Sequence, residues 1–284
     1  MSPDTKRKAK SRKKSPAAER KASGIPGGLS VCIITFNEEK RLPDCLKSVS
    51  FADEIIVVDS GSTDRTREIA ADAGARVSIR PFDGYVSQKN HTIALAKMKW
   101  VFVIDADEIL TPELRSEIIR GLGQNQEEAP VAYRVPRMTN YMGRWIRHSG
   151  WYPDYTIRLF QANKASFMGD TVHERANSQG KTGTLKNHLE HFSYNTISDH
   201  LKRIDQYSTL IAREKFKRGR KSSVGWALAK SVSKFFLMYV YKLGFLDGRQ
   251  GLVIAVLGAY YNFLKYIKVW ELQQEELLAS GSKG

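Results

Sequence analysis

Cysteine is nearly absent: the chain has two, Cys32 and Cys45, in 284 residues. Two thiols cannot build the disulfide framework of a small secreted domain, so a reducing, cytoplasmic compartment is expected. No apolar stretch follows the first basic residues, so no secretory signal is expected and that segment should stay on the mature protein. The glycines form neither G-x-G-x-x-G nor G-x-x-x-x-G-K-[ST], which removes the nicotinamide fingerprint and the P-loop as ways of holding phosphate. Base-stacking and groove-reading modules are also missing, so no nucleic-acid partner is expected despite the basic balance. Unbroken apolar windows fall short of the roughly 18 to 20 residues that a bilayer-spanning helix needs.

Acidic residues are the minority, 30 against 45 basic, for a net charge of +15. The surplus is uneven. Residues 1–23 hold nine Lys or Arg and two acids, and residues 1–27 read as a disordered basic tail. Between Lys202 and Arg249 there are twelve Lys or Arg and three acids, with Trp226, Phe235, Phe236, Tyr239 and Tyr241 interleaved. Residues 196–284 therefore read as a helical, membrane-associating region. Its amphipathic helices would lie on an anionic inner-membrane surface, where each basic residue is worth about 1 kcal/mol, and the protein would be peripheral there. Core-packing helices with a solvated basic face are the alternative.

From Leu29 short apolar runs alternate with helical segments, which predicts an α/β fold with a mainly parallel central sheet flanked by helices. "LSVCIITFN", "EIIVVD" and "WVFVID" read as strands without apolar alternation, as central strands covered on both faces do. Each ends in polar groups: Thr35, Asn37 and Glu38 on the first, Asp59 on the second, Asp105 and Asp107 on the third. In extended backbone residues i and i+2 face the same side, so Asp105 and Asp107 can address one ligand or metal. Ligands of open α/β sheets bind at the strands' carboxyl ends. A nucleotide diphosphate held through a divalent cation suits carboxylates at that edge. Glu108, out of phase with the aspartate pair, is expected to point away and serve the turn into the Thr111-Pro112 helix start. After Gly123 a Tyr-, Trp- and Arg-rich stretch reads as an excursion that covers the site.

The stretches "SVCIITFNEE", "EIIVVDSGSTDRTREIA", "QKNHTIALA" and "VFVIDADEIL" together resemble the family 2 glycosyltransferases. "WYPDYTIRLF", "GDTVHERA" and "LEHFSY" resemble the branch that includes lipopolysaccharide core β-glucosyltransferases. The resemblance implies a GT-A fold over residues 28–195, with a nucleotide-sugar half (28–123) and an acceptor half (124–195). It implies that Thr35, Asn37, Glu38 and Asp59, with Ser60 and Gly61, line the base and ribose. Lys89 and Asn90 would sit near the diphosphate, Asp105 and Ala106 near the ribose, and Asp107 on a divalent cation, magnesium or manganese.

The implied reaction is inverting transfer of a hexose, glucose being favoured, from a UDP-sugar to a lipopolysaccharide core or other cell-envelope glycan or glycolipid. Polyprenyl phosphate or protein acceptors are the alternative. The paired acidic base of many family members is missing, which leaves Glu174, Asp170 and Asp154 as candidates. Glu174 is favoured for its charged neighbours in "TVHERA", while Asp154 after Pro153 also reads as a turn residue. His188 and His191 lie three apart in a strand-like piece, so at most one reaches the site; His191 is the candidate extra metal ligand.

Overall fold

Leu29, Val31, Cys32 and Ile33 are all fully buried in the first strand, β1 (Leu29–Thr35), because layers of side chains cover both faces of the sheet at this point. The structure is a computed structural model, and it describes residues 23–123, 129–169, 174–194 and 196–281. The expected basic tail lies outside these as far as residue 22. From Ser23 onward the chain is tied to the body, for its N–H and hydroxyl both donate to the Asp53 carboxylate, at 2.9 and 2.5 Å.

Helix α1 (Leu42–Ser48) starts late because Pro43 suits a first helical turn and nothing earlier. It is followed by β2 (Glu54–Asp59), α2 (Thr66–Asp72), β3 (Arg76–Ile79), α3 (Tyr85–Ala94) and β4 (Trp100–Asp105). Gly74, with φ of 72°, ends α2 as the sequence predicts. Next come β5 (Glu108–Leu110), α4 (Pro112–Gly123), β6 (Ala132–Tyr141), β7 (Arg144–Trp145), β8 (Asp154–Gln161), β9 (Ala165–Met168), β10 (Arg175–Ser178), β11 (Thr182–Thr184) and β12 (Leu189–Tyr194). The main sheet runs β3-β2-β1-β4-β8-β6-β12-β5, with β7 and β11 on β6, while β9 and β10 form a separate hairpin.

The pairs from β3 to β4 are parallel, as expected. Beyond β4 the sheet becomes mixed: β8 is antiparallel to both β4 and β6, β12 is parallel to β6, and β5 is antiparallel to β12. The aromatic- and arginine-rich stretch read as a cover is thus largely part of the sheet, and it carries arginines into the interior.

The carboxy-terminal region is helical: α5 (Ile197–Lys217), α6 (Val224–Phe236), a π-helical stretch over Leu237–Tyr241, a 3-10 turn over Gly244–Asp247, and α7 (Gly248–Gly281). A capping box of Thr196 and Asp199 opens α5. Gly251 is required where α7 meets the preceding turn, because a Cβ there would collide with the Gly244 carbonyl. The expectation that no segment reaches spanning length is corrected. The helical stretch Gly244–Leu278, the 3-10 turn together with most of α7, is long and apolar enough to cross a membrane by length and composition, because α7 runs on through the lysines that interrupt its apolar runs. It is nonetheless fastened to a polar helix: Lys268 Nζ donates to the Asp205 carboxylate at 2.6 Å and to Thr209 Oγ1 at 2.7 Å.

The joint between sheet and helices is aromatic. His200 on α5 is buried against Tyr141, Trp151 and Tyr194, with Nδ1 2.9 Å from the Tyr141 hydroxyl. Burial first, then nearby Arg203, push its pKa down to about 4. The folded state thus keeps the imidazole neutral, while the unfolded chain binds a proton near pH 6.5. Stability from this residue is complete above about pH 6.5 and is lost as pH falls through about 4, up to about 3 kcal/mol. Thermal melts between about pH 7 and pH 5 should show a drop that His200→Gln reduces. An equal drop in the variant would refute this account.

Candidate active site

Parallel strands β1, β2 and β4 end at one edge, with Thr35 opposite Asp59 and Ile34 opposite Asp105. Asp105 accepts an ion pair on each oxygen: Lys89 Nζ is 3.1 Å from Oδ1, and Arg158 Nη2 donates to Oδ2 at 3.0 Å. Burial alone would raise this carboxyl, but Lys89, Arg158 and Arg137 override it and hold Asp105 far below the usual range.

Lys89, on α3, is 1% exposed. Its ammonium also donates to Glu174 Oε1 at 2.6 Å and lies over the Phe167 ring. A buried ammonium is costly unless paired, and two carboxylates supply the pairing. Glu174 arrives from the chain entering β10, and its Oε2 is buried with no hydrogen-bond partner among the described residues. Asn90, next to Lys89, binds the Phe167 backbone at both ends, its Nδ2 donating to the carbonyl and its Oδ1 accepting from the N–H, each at 2.8 Å.

Glu108 differs from its sequence expectation. The chain turns at Ala106 and Asp107 before β5 begins, so strand alternation does not carry across. Glu108 is fully buried beneath the pair: Oε2 accepts the Asp105 N–H at 3.0 Å, while Oε1 accepts Arg158 Nη2 at 2.7 Å and Arg137 Nη1 at 3.3 Å. Arg137 continues to Asp154, donating through Nε and Nη2 at 3.0 and 2.5 Å. Of the three candidate bases, Asp154 is therefore engaged by Arg137, Glu174 meets Lys89, and Asp170 lies outside the described residues.

Asp107 is 3.5 Å from His191 Nε2, because β5 and β12 pair with His191 opposite Glu108. Burial raises the Asp107 carboxyl, but the hydrogen bond and charge of His191 outweigh it and the net shift is downward. His188 takes the other direction, as the three-residue spacing requires; its carbonyl accepts from Thr111 Oγ1 and its ring packs on Tyr152. Glu38 faces the same crevice, and burial followed by the Asp107 charge lifts its pKa to about 7.

Asp59 is fully buried, and its carboxylate closes its own turn by accepting from the N–H groups of Gly61 and Ser62 and from the Ser62 hydroxyl. Asn37, with φ of 53°, joins the β1 and β2 loops: its N–H donates to Ser62 Oγ at 2.8 Å and its Oδ1 accepts from the Thr63 N–H at 2.9 Å. Ser60 Oγ accepts from Gln88 Nε2 at 3.1 Å, Thr35 Oγ1 is buried without a hydrogen-bond partner among the described residues, and Ala106 is buried. Gly61, with φ of 97°, has open space where a Cβ would stand, so what faces a ligand there is backbone.

No group of three or more His, Cys, Asp or Glu converges into a metal cage among the described residues. A divalent cation shared with a diphosphate needs only one or two protein ligands, with phosphate oxygens and water completing its shell. Asp107 with His191 fits that donor set.

The sequence reading missed Arg158 and Arg137. Three acids clustered at a buried strand end need cations, and that demand was the available signal.

A family model for glycosyl transferase family 2 matches residues 30–185. An uncharacterized glycosyltransferase of Rickettsia typhi is 32% identical over 86% of this chain and 87% of its own. A lipopolysaccharide core biosynthesis glycosyltransferase of Rhizobium meliloti is 30% identical over 86% of this chain and 92% of its own. Among solved structures, S. aureus TarS in complex with UDP is 15% identical, over 88% of this chain and 92% of that chain, with a TM-score of 0.44.

Proposed function

The chain belongs to glycosyl transferase family 2, and on that premise we propose that it transfers a hexose, glucose first among the candidates, from a UDP-sugar to a lipopolysaccharide core or related envelope glycan, with inversion at the anomeric carbon. The GT-A fold agrees with family membership. The observation that carries the proposal is the convergence of Asp105, Lys89 and Glu174 beside the Asp107–His191 pair, at the edge where β1, β2 and β4 end. The name of the Rhizobium meliloti relative supports the acceptor class.

In this reading the backbone of Ser60 and Gly61, shaped by Asp59 and Asn37, receives the base and ribose. Asp105, immobilised by two cations, fixes the ribose side without rearranging when the donor arrives. Asp107 and His191 would hold a divalent cation, which supplies positive charge for the diphosphate leaving group. Glu174 takes the acceptor hydroxyl proton through its free Oε2 as that oxygen attacks the anomeric carbon. Lys89, touching both carboxylates, keeps donor and base in one geometry.

Exposed apolar side chains at Val224, Leu228, Val232 and Phe236 of α6, and at Leu252, Val256 and Tyr260 of α7, recur every four residues. With the flanking lysines they support peripheral docking on an anionic cytoplasmic membrane surface, α7 lying along the interface because α5 holds it there.

Calorimetry with UDP-, GDP-, ADP- and dTDP-sugars, with and without magnesium or manganese, tests the donor. Metal-dependent binding of a UDP-sugar is expected, with the metal effect lost in Asp107→Ala. Undiminished binding by that variant, indifferent to metal, would overturn the donor and metal assignments together.

A further inference from the structure

Between the end of the sheet and the three long helices lies a cavity of about 490 Å³. Four separate segments each contribute a basic residue to its lining: Arg203 from α5, Lys234 from α6, Lys242 from the chain after the π-helical stretch, and Lys265 from α7. Among the described residues no Asp or Glu lines it. The cations meet aromatic faces in place of carboxylates: Arg203 lies 5.1 Å from the Tyr194 ring centroid and Lys265 lies 4.8 Å from that of Tyr261. Burial, then the charges of Lys215 and Lys234, pull the Lys265 pKa down to about 8, the mark of an ammonium short of negative charge. A second observation is independent of charge. Ser149 is 3% exposed, lines the same cavity, and its hydroxyl has no hydrogen-bond partner among the described residues.

The cavity lies between two surfaces already described. On one side Arg203 is close enough to Glu38 and Asp107 to pull both carboxyls downward against their burial, while Tyr207, like Asp105 and Glu174, is close enough to Tyr85 to raise its hydroxyl. One helix, α5, therefore borders both the carboxylate crevice and the cavity. On the other side Leu237 lines the cavity and is itself 41% exposed, continuous in sequence with exposed Phe236, Val240 and Tyr241. A cavity lined by cations and by no carboxylate among the described residues, next to an apolar face and a sugar-transfer site, suits an amphiphile with a phosphate between its sugar and its chain.

We propose that this cavity binds a phosphate group of the acceptor, so that the acceptor is a phosphorylated glycolipid whose chain rests on the exposed apolar face and whose sugar reaches Glu174. The proposal rests on the glycosyltransferase reading. It separates this phosphate from the reacting hydroxyl, which distinguishes the acceptor from a polyprenyl phosphate attacking through its own phosphate oxygen.

The full chain is titrated by calorimetry with monomeric dodecyl phosphate, with inorganic phosphate and with dodecyl β-glucoside, and by sedimentation with phosphatidylcholine vesicles containing phosphatidylglycerol. Dodecyl phosphate should bind more tightly than either partial mimic. The Lys234→Gln, Lys265→Gln double variant should weaken it about tenfold or more. Exposed Lys242→Glu, which puts no burden on folding, should weaken it in the same direction. Equal affinity for the glucoside, or an unchanged affinity in both variants, overturns the proposal. So does a loss seen only with vesicles, which would assign the cations to bilayer headgroups. A wild-type protein that binds a UDP-sugar but not dodecyl phosphate sinks this inference alone; one that binds dodecyl phosphate but no nucleotide-sugar sinks the transferase reading and leaves the cavity standing.

Discussion

Glu174→Gln is expected to keep nucleotide-sugar affinity while transfer falls by about 10²- to 10⁴-fold, the usual contribution of a positioned general base. The amide is isosteric, so it fits the same place beside Lys89, and its oxygen can still accept from the ammonium. What disappears is the ability to take a proton. Donor affinity is read by calorimetry and transfer by release of nucleoside diphosphate at saturating acceptor. Loss in kcat with little change in the donor constant identifies a group that acts on the reacting atoms. Full turnover would move the base to Asp170 or to Asp154. The latter would first have to leave Arg137, which holds it through two nitrogens.

The second large effect concerns stability. Glu108→Leu leaves Arg158, 2% exposed, with Asp105 as its remaining carboxylate partner among the described residues. It also removes the acceptor for the Asp105 N–H. Removing one partner of a buried ion cluster costs about 3 to 5 kcal/mol. For a chain of this size that is a fall in melting temperature of roughly 10 °C. The double variant Glu108→Leu, Arg158→Met exchanges the pair for packed apolar side chains and should regain much of the loss. Activity should not return with it, because Asp105 then lacks one of its two anchors. Thermal melts and donor calorimetry on the three proteins separate the effects. A double variant no more stable than Glu108→Leu would show that Arg158 is not paying a burial cost through Glu108.

The three buried parallel strands and the polar groups at their carboxyl ends were legible in the sequence because both follow from local pattern. Runs such as "VVD" and "VFVID" fix which residues are covered, and the strand end fixes where the acids emerge. Glu108 was misjudged because strand alternation was carried past Asp105, across a turn that resets it. Arg137 and Arg158 were overlooked for a related reason. In the aromatic-rich segment they look like surface arginines, and only the pairing of β8 with β4 and β6 buries them against the acids. The resemblance places Asn90 beside Lys89 near the diphosphate; in the structure its amide holds the Phe167 backbone, whose ring lies under the Lys89 ammonium, a long-range contact that local pattern does not show. In the carboxy-terminal region, lysines counted as interruptions of hydropathy do not interrupt a helix, and α7 runs through them.

The paired contacts of α3 bear on how such a protein can be recombined. Lys89 grips Glu174 while the next residue, Asn90, clasps both backbone groups of Phe167 on β9. The hairpin and the Glu174 carboxylate are thus registered to α3 by two neighbouring side chains of one helix. A chimera that exchanges this hairpin for a relative's should keep its register against α3 only if the α3 face travels with it. Exchanged without that face, the graft would lose the partners that Lys89 and Asn90 provide and shift its carboxylate relative to Asp105.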